Sequence, residues 1–203
     1  AGDAGGSIGA ALALWYIHLE NPFIKYQGRD RMKGSFLGPQ YESHEIETEL
    51  LISGAKYKNY TQDDLVKKVA NEIANGKVIG WFQGRMEFGP RALGCRSILA
   101  DPRSPTMQRK LNLKIKFRES FRPFAPSVLR EDINEWFELD EDSPYMLLVS
   151  EVKKDKQISM SNKDNKLFGI EKLNIKRSII PAITHVDYSA RIQTVDKKRN
   201  NLF

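Results

Sequence analysis

Apolar and polar positions alternate along this chain in short blocks, and the blocks predict small elements rather than long ones. Leu65, Val66, Val69 and Ile73 make one apolar stripe at helical spacing. Thr61 is placed to cap the start of that helix, Asp63 and Asp64 complement its dipole, and Asn75-Gly76 ends it. Lys77 to Phe82 then reads as a buried strand, and Arg96 to Ala100 as a second short strand. Between them, 83–93 is a loop rich in glycine and charge. Ser104-Pro105 opens a helix, with serine as the cap and proline at the first helical position, running to about Ile115. Phe124 to Leu129 predicts a strand, Arg130 to Phe137 a short acidic helix carrying Trp136, and Pro144 to Val152 and Pro181 to Val195 two or three further strands. Strands interspersed with helices predict an α/β or α+β domain from about residue 42.

The remainder is less regular. Gly2-Asp3-Ala4-Gly5-Gly6 reads as a glycine-rich turn feeding an apolar helix that extends to Leu19. Such a turn allows close approach of a phosphate, or simply packs tightly on its helix. Ala10 to Leu19 is almost continuously apolar, so this helix is expected to pack against the rest of the chain or a neighbouring one. Residues 21–41, with Pro22, Gly28, Gly34, Gly38 and Pro39, look like a connector. Lys153 to Arg177 is polar and aperiodic and reads as a surface excursion with no assigned role. There is no internal repeat and no heptad.

Composition narrows the picture. At 203 residues with 40% hydrophobic positions, wholesale disorder is ruled out. The longest near-apolar run, Ile8 to Ile17, is well short of the ~20 residues a membrane-spanning helix needs. A single cysteine, Cys95, forms no internal disulfide and excludes a cysteine-cluster zinc site, which points to a reducing, cytoplasmic setting. The chain opens without a start methionine or signal peptide, and the expectation is a fragment. Charge is more telling. The net charge is +6, yet Arg85 to Arg122 alone carries ten basic residues against Glu87, Asp101 and Glu119, a local +7. The rest of the chain is near neutral, so the positive charge reads as a local anion site.

Three segments carry the candidate chemistry. Gly84 to Leu99 (GRMEFGPRALGCRSIL) spreads Arg85, Arg91, Arg96 and Ser97 over a loop whose glycines permit unusual backbone angles. Arginine suits bidentate grip on phosphate or carboxylate. Glu87 either orients one of these arginines or merely neutralises it under the loop. Lys116 to Ser127 (KFRESFRPFAPS) projects Lys116, Arg118 and Arg122 from a stretch stiffened by two prolines and anchored by phenylalanines. A fixed cation cluster suits phosphate neutralisation in phosphoryl or nucleotidyl transfer, and basic residues among aromatics also suit single-stranded nucleic acid. In Pro181 to Thr194 (PAITHVDYSARIQT), His185 and Asp187 alternate with apolar residues as on a strand with one wet face, and Arg191 adds an anion contact. A pocket-shaping His–Asp pair and a catalytic one are both open.

These three motifs, in this order and spacing, resemble the signatures of the NodU/CmcH-type carbamoyltransferases, and the likeness covers essentially the whole chain. The resemblance implies a YrdC-like domain, α/β (α+β) with a twisted, mostly mixed sheet flanked by helices, over 42–203 and incomplete at its C-terminus. It implies that 1–20 is the last helix of a truncated ASKHA-like N-terminal domain and 21–41 a linker. It also implies a two-step reaction: carbamoyl phosphate and ATP give carbamoyl-adenylate and pyrophosphate, and the carbamoyl group then passes to a hydroxylated acceptor.

By position, Arg91, Lys116 and Arg122 are expected to be catalytic, with Arg85, Arg96, Ser97, Arg118, His185, Asp187 and Arg191 binding substrate. Asp3 falls where a divalent metal, iron or magnesium, is ligated, mainly by residues of the absent N-terminal half. The expected partners are carbamoyl phosphate, ATP, the acceptor and that N-terminal domain. Homodimerisation is left open, with no membrane and no nucleic acid expected. A fragment of this kind is expected to retain part of the adenylation site and no complete activity. Two other readings compete: an RNA-binding YrdC-like module, and an enzyme forming threonylcarbamoyl-adenylate for tRNA modification.

Overall fold

The structure is a computed structural model that describes residues 2–24, 30 and 32–203, with side chains from residue 5 onward. Helix α1 (Gly2–Ala13) runs on into a π-helical turn, Leu14–His18. The glycines lie within the helix instead of forming a turn before it. Nothing lies within 4 Å of where a side chain at Gly5, Gly6 or Gly9 would begin, so no close approach explains them. The helix does not pack its apolar residues against the rest of the described chain: Leu12, Leu14, Trp15, Ile17 and Leu19 are all exposed. A helix of this length gains little from propensity alone, and glycine costs it about 1 kcal/mol per position relative to alanine.

The connector is stitched to the domain that follows. Asp30 accepts from the Met32 and Gly34 amides and receives the Tyr145 hydroxyl. Further on, the Phe88 amide donates to Ser35 O, Gly38 N to Met86 O and Met86 N to Pro39 O, at 2.6, 2.9 and 2.9 Å. Gly38 is required here: a Cβ would stand 2.9 Å from the Met86 carbonyl oxygen. Helix α2 (Ser43–Ile52) has no clear apolar stripe and was not evident from periodicity. Its first turn is closed locally, Glu45 accepting from the Glu42 amide at 2.7 Å.

Helix α3 (Gln62–Ala74) follows the predicted grammar. Thr61 Oγ1 accepts from the Asp64 amide at 3.2 Å, and Gly76 takes a left-handed φ of +74° past the end. Leu65, Val69 and Ile73 turn inward, while Val66 is exposed. Strands β1 (Ile79–Phe82) and β2 (Arg96–Leu99) pair antiparallel, Ile79 opposite Leu99 and Phe82 opposite Arg96. The first was expected to be buried throughout, yet only Trp81 is, and Phe82 faces solvent. Helix α4 (Met107–Leu111) starts later than Ser104-Pro105 predicts and continues as a π-helical turn, Asn112–Lys116.

Strand β3 (Ser127–Leu129) leads through a 3₁₀ turn into α5 (Ile133–Trp136), then β4 (Val149–Glu151). The polar stretch after it holds two short helices, α6 (Asn162–Asn165) and α7 (Gly169–Leu173), and ends on Arg177, which is buried rather than on the surface. Strands β5 (Ser189–Arg191) and β6 (Gln193–Val195) close the fold. β6 pairs parallel with β3, and β5 antiparallel with β4. The architecture is therefore mixed α and β, but among the described residues the expected single mixed sheet is replaced by three two-stranded ladders. The strands are only three or four residues long, and Pro126, immediately before β3, removes a ladder donor where that strand would extend.

The main core lies where β4, β5 and α5 meet, from Ile133, Phe137, Val152, Ile180, Ile183 and Ile192. A second cluster of Met107, Leu111 and Ala182 joins α4 to the Pro181 segment. Phe124 packs against both and fixes the wall between them.

Candidate active site

The glycine-rich loop is organised from within by a buried carboxylate. One oxygen of Glu87 accepts from the Leu93 and Cys95 amides at 2.6 and 2.8 Å, and the other from Arg96 Nε at 3.1 Å. Arg96 Nη2 is also bonded to the Gly89 carbonyl. Gln193 on β6 pins the loop from the other side, donating to Leu93 O at 2.8 Å while its Oε1 receives the Ser127 hydroxyl at 2.9 Å. Cys95 is buried beneath the loop. Burial, then the Glu87 charge, push its thiol up to about 11, so it is an inert packing group.

The loop, the end of α4, the Pro123–Ser127 stretch and β5–β6 surround a cleft of about 600 Å³. Arg91, Lys116, Arg118 and Arg191 line it, as does Ser97, whose hydroxyl receives the Gly94 amide at 3.0 Å. Arg91 and Arg191 are the unusual pair. The Nε of each is buried and has no hydrogen-bond partner, and Arg191 Nη2 reaches only the weak acceptor Met146 Sδ, at 3.7 Å. Burial first, and the Arg91 charge second, hold the Arg191 guanidinium below its ordinary pKa. Two cations thus face one hollow, and the carboxylate that also lines it, Asp101, is taken up by Arg103. Apolar side chains line it too, among them Ile73, Leu99, Met107 and Leu111.

Arg118 belongs partly to the framework. Its Nε donates to Asn112 Oδ1 at 2.6 Å and its guanidinium lies 4.9 Å from the Phe124 ring centre. Asn112, fully buried, also donates to the Ser120 and Arg122 carbonyls at 3.0 and 2.8 Å. Phe117, at 84% exposure, and Phe121 anchor nothing, so this side-chain hub stiffens the segment together with the prolines and Phe124.

The other sequence-predicted residues lie elsewhere. Arg122 does not line the cleft; its guanidinium pairs with Glu119 at 2.9 Å on the surface. Arg85 donates to Gly38 O at 2.9 Å and serves the connector. Arg96 is satisfied by Glu87. His185 and Asp187 line a separate hollow of about 290 Å³ with Gln108, Phe121, Thr184 and Arg177. They do not bond each other. Asp187 receives the Ser189 amide and hydroxyl at 3.1 and 2.7 Å, and His185 Nδ1 lies 3.3 Å from the same hydroxyl. Those Ser189 donors hold the Asp187 carboxyl below its usual value, while burial lowers His185 and keeps it neutral near pH 7.

Sequence reasoning missed Asn112, and also Met146, Gln193 and Phe203, which line the cleft. Gln193 sits inside the SARIQTV motif and was open to notice. Met146, held at φ +56°, carries no sequence signal of that conformation. Asp3 lies in α1, and its side chain is outside the described residues. Among the described residues no three His, Cys, Asp or Glu are grouped to hold a metal.

Residues 70–203 match the family described as "Carbamoyltransferase C-terminus". The chain belongs to this carbamoyltransferase family. It is 57% identical over 202 residues to an uncharacterized protein of Synechocystis sp., covering 98% of this chain and 33% of that protein. It is 41% identical over 205 residues to nodulation protein NolNO of Sinorhizobium fredii, 99% of this chain and 26% of the relative. The 3'-hydroxymethylcephem-O-carbamoyltransferase of Streptomyces clavuligerus is 37% identical over 132 residues, 65% of this chain and 21% of that enzyme. The chain spans a third or less of the length of these relatives. No helix among the described residues is long and apolar enough to cross a membrane.

Proposed function

We propose that this chain is the adenylate-forming part of an O-carbamoyltransferase, and that the cleft beneath the arginine loop binds carbamoyl phosphate and ATP. The observation that carries the reading is the Arg91–Arg191 pair: two recessed guanidiniums with unsatisfied Nε groups, and Lys116 at the same hollow. An anion with several oxygens supplies the partners they lack. The apolar side chains that share the lining suit the base of a nucleotide, and about 600 Å³ is room for one.

The chemistry balances as follows. Water releases phosphate from carbamoyl phosphate, leaving carbamate. A carbamate oxygen attacks the α-phosphorus of ATP, pyrophosphate departs, and carbamoyl-adenylate remains. The acceptor hydroxyl later attacks the carbamoyl carbon and AMP leaves. In the first part the chain's task is to hold two polyanions side by side and neutralise the departing phosphates, for which fixed cations suffice and no covalent nucleophile is needed.

The RNA-binding alternative is weaker because its cations should lie along an open surface, and Arg91 and Arg191 are recessed. The test is mass-spectrometric detection of carbamoyl-adenylate made by the full-length protein from carbamoyl phosphate and ATP. A protein that forms none with both substrates present contradicts this reading. Binding of many RNA sequences that weakens steeply with salt would favour the alternative.

A further inference from the structure

Within the arginine loop two cations have opposite surroundings. Arg96 is paired with Glu87 and bonded to the Gly89 carbonyl, while Arg91 lines the cleft with a buried, unpartnered Nε. Glu87 stands between the two outcomes. Its side chain is completely buried, and its three donors come from Leu93, Cys95 and Arg96. These bonds close residues 87–96 into a ring. The stretch that spans the ring, Pro90-Arg91-Ala92, is the part that lines the cleft.

Such a loop needs a fastener. Gly84, Gly89 and Gly94 all take positive φ, and a segment with that freedom loses much conformational entropy when ordered. A carboxylate suits the place better than an amide. A glutamine could accept from both backbone amides through one oxygen, but its NH₂ would then meet Arg96 donor to donor.

We propose that Glu87 is the positioning residue of the anion site: it fixes the ring and occupies Arg96, so that Arg91 is the arginine presented to the ligand. This deepens, and rests on, the reading of the cleft as a polyanion site. Glu87 itself touches no ligand and acts through Arg91.

The experiment measures pyrophosphate affinity by calorimetry on the full-length protein for the parent, Arg91→Met, Glu87→Gln, Glu87→Ala and the two doubles with Arg91→Met. Leaving buried donors unpaired costs enough to displace the loop, so Glu87→Ala should weaken binding about tenfold or more. Glu87→Gln, which keeps the two amide bonds, should lie between it and the parent. Adding Arg91→Met to Glu87→Ala should change little further, because the Arg91 contribution is already lost; added to Glu87→Gln it should remove only what that variant retains, so the two losses sum to less than their separate values. Losses that add in full, or Glu87 variants that bind like the parent while Arg91→Met does not, overturn the inference and leave the cleft reading standing. Should Arg91→Met alone bind like the parent, the cleft reading falls and takes this inference with it. If Glu87→Ala does not fold, the cycle between Glu87→Gln and Arg91→Met decides by the same criteria.

Discussion

Arg91 and Arg191, a hundred positions apart in sequence, meet at one cleft, where the charge of the first adds to burial in making the second a weaker base. Like charges are brought together here by two independent anchors. Glu87 and Gln193 hold the loop carrying Arg91, and the β4–β5 ladder holds Arg191 opposite Val149. Without an anion the pair is a local liability, since each buried Nε lacks an acceptor.

Pyrophosphate should therefore stabilise the full-length protein in a concentration-dependent way. A ligand that binds only the folded state adds about 2.7 kcal/mol at a hundred times its dissociation constant. Arg191→Met should lose most of the rise in melting temperature while melting no lower than the parent without ligand. Thermal scans across a pyrophosphate series check this, and a parent that fails to respond contradicts it.

His185 gives a pH signature. Burial lowers its folded pKa below 6.5, with Arg191 reinforcing the shift and Asp187 opposing it. Above pH 6.5 both folded and unfolded states hold it neutral, and it contributes no slope. As pH falls below 6.5 the unfolded state takes the proton first, so stability should decline toward pH 5. Asp187 is lowered from 3.8 and contributes its loss only below that value, outside this window. Urea midpoints at pH 7, 6 and 5 should fall in the parent and fall less in His185→Gln. An equal slope in both would mean that His185 is not the group responsible.

What the sequence revealed and what it hid follow from the range of the forces involved. The Thr61 cap, the end of α3 at Gly76 and the positions of β1 and β2 were legible because each is decided within a few residues. So was the concentration of cations at residues 85–122. The sorting of those cations was not legible. Whether an arginine faces the cleft, as Arg91 does, or is consumed locally, as Arg96 is by Glu87 and Arg122 by Glu119, depends on three-dimensional placement. The same holds for His185 and Asp187, which share a motif with Arg191 but face another hollow because 185–188 is a turn ahead of β5, closed by the Tyr188 amide on His185 O and the His185 amide on Ser189 O. The single mixed sheet failed for a different reason. Strand propensity located the strands, but each is only three or four residues long, and they join only in pairs among the described residues.

Asn112 offers a test of how the basic segment is held. Its amide serves the Ser120 and Arg122 carbonyls and receives Arg118, in a site closed to water. Asn112→Ala leaves those groups unpaired and should cost about 1–3 kcal/mol of stability. The urea midpoint should fall with the slope unchanged. A variant as stable as the parent would show that the prolines alone hold the segment.

The sharpest division falls between Lys116 and Arg122, six residues apart on that segment. Lys116 lines the cleft at the end of its π-helical turn, whereas Arg122 points away and pairs with Glu119, an exposed ion pair of little energetic consequence. If Lys116 neutralises the phosphate that departs from carbamoyl phosphate, Lys116→Met in the full-length protein should slow adenylate formation about 10²–10³-fold, the usual cost of losing one donor to a developing oxyanion. Arg122→Met should slow it by no more than about threefold, the loss expected of a solvent-exposed pair. Transfer of the carbamoyl group from pre-formed carbamoyl-adenylate to the acceptor should be nearly unaffected by either, because the departing phosphate is absent from that step. The two half-reactions are assayed separately by pyrophosphate release and by carbamoylated product. Equal losses in the two variants would mean that the segment acts through its overall charge. A Lys116→Met protein that makes adenylate at the parental rate would remove this lysine from the chemistry and leave the arginine pair to carry it alone.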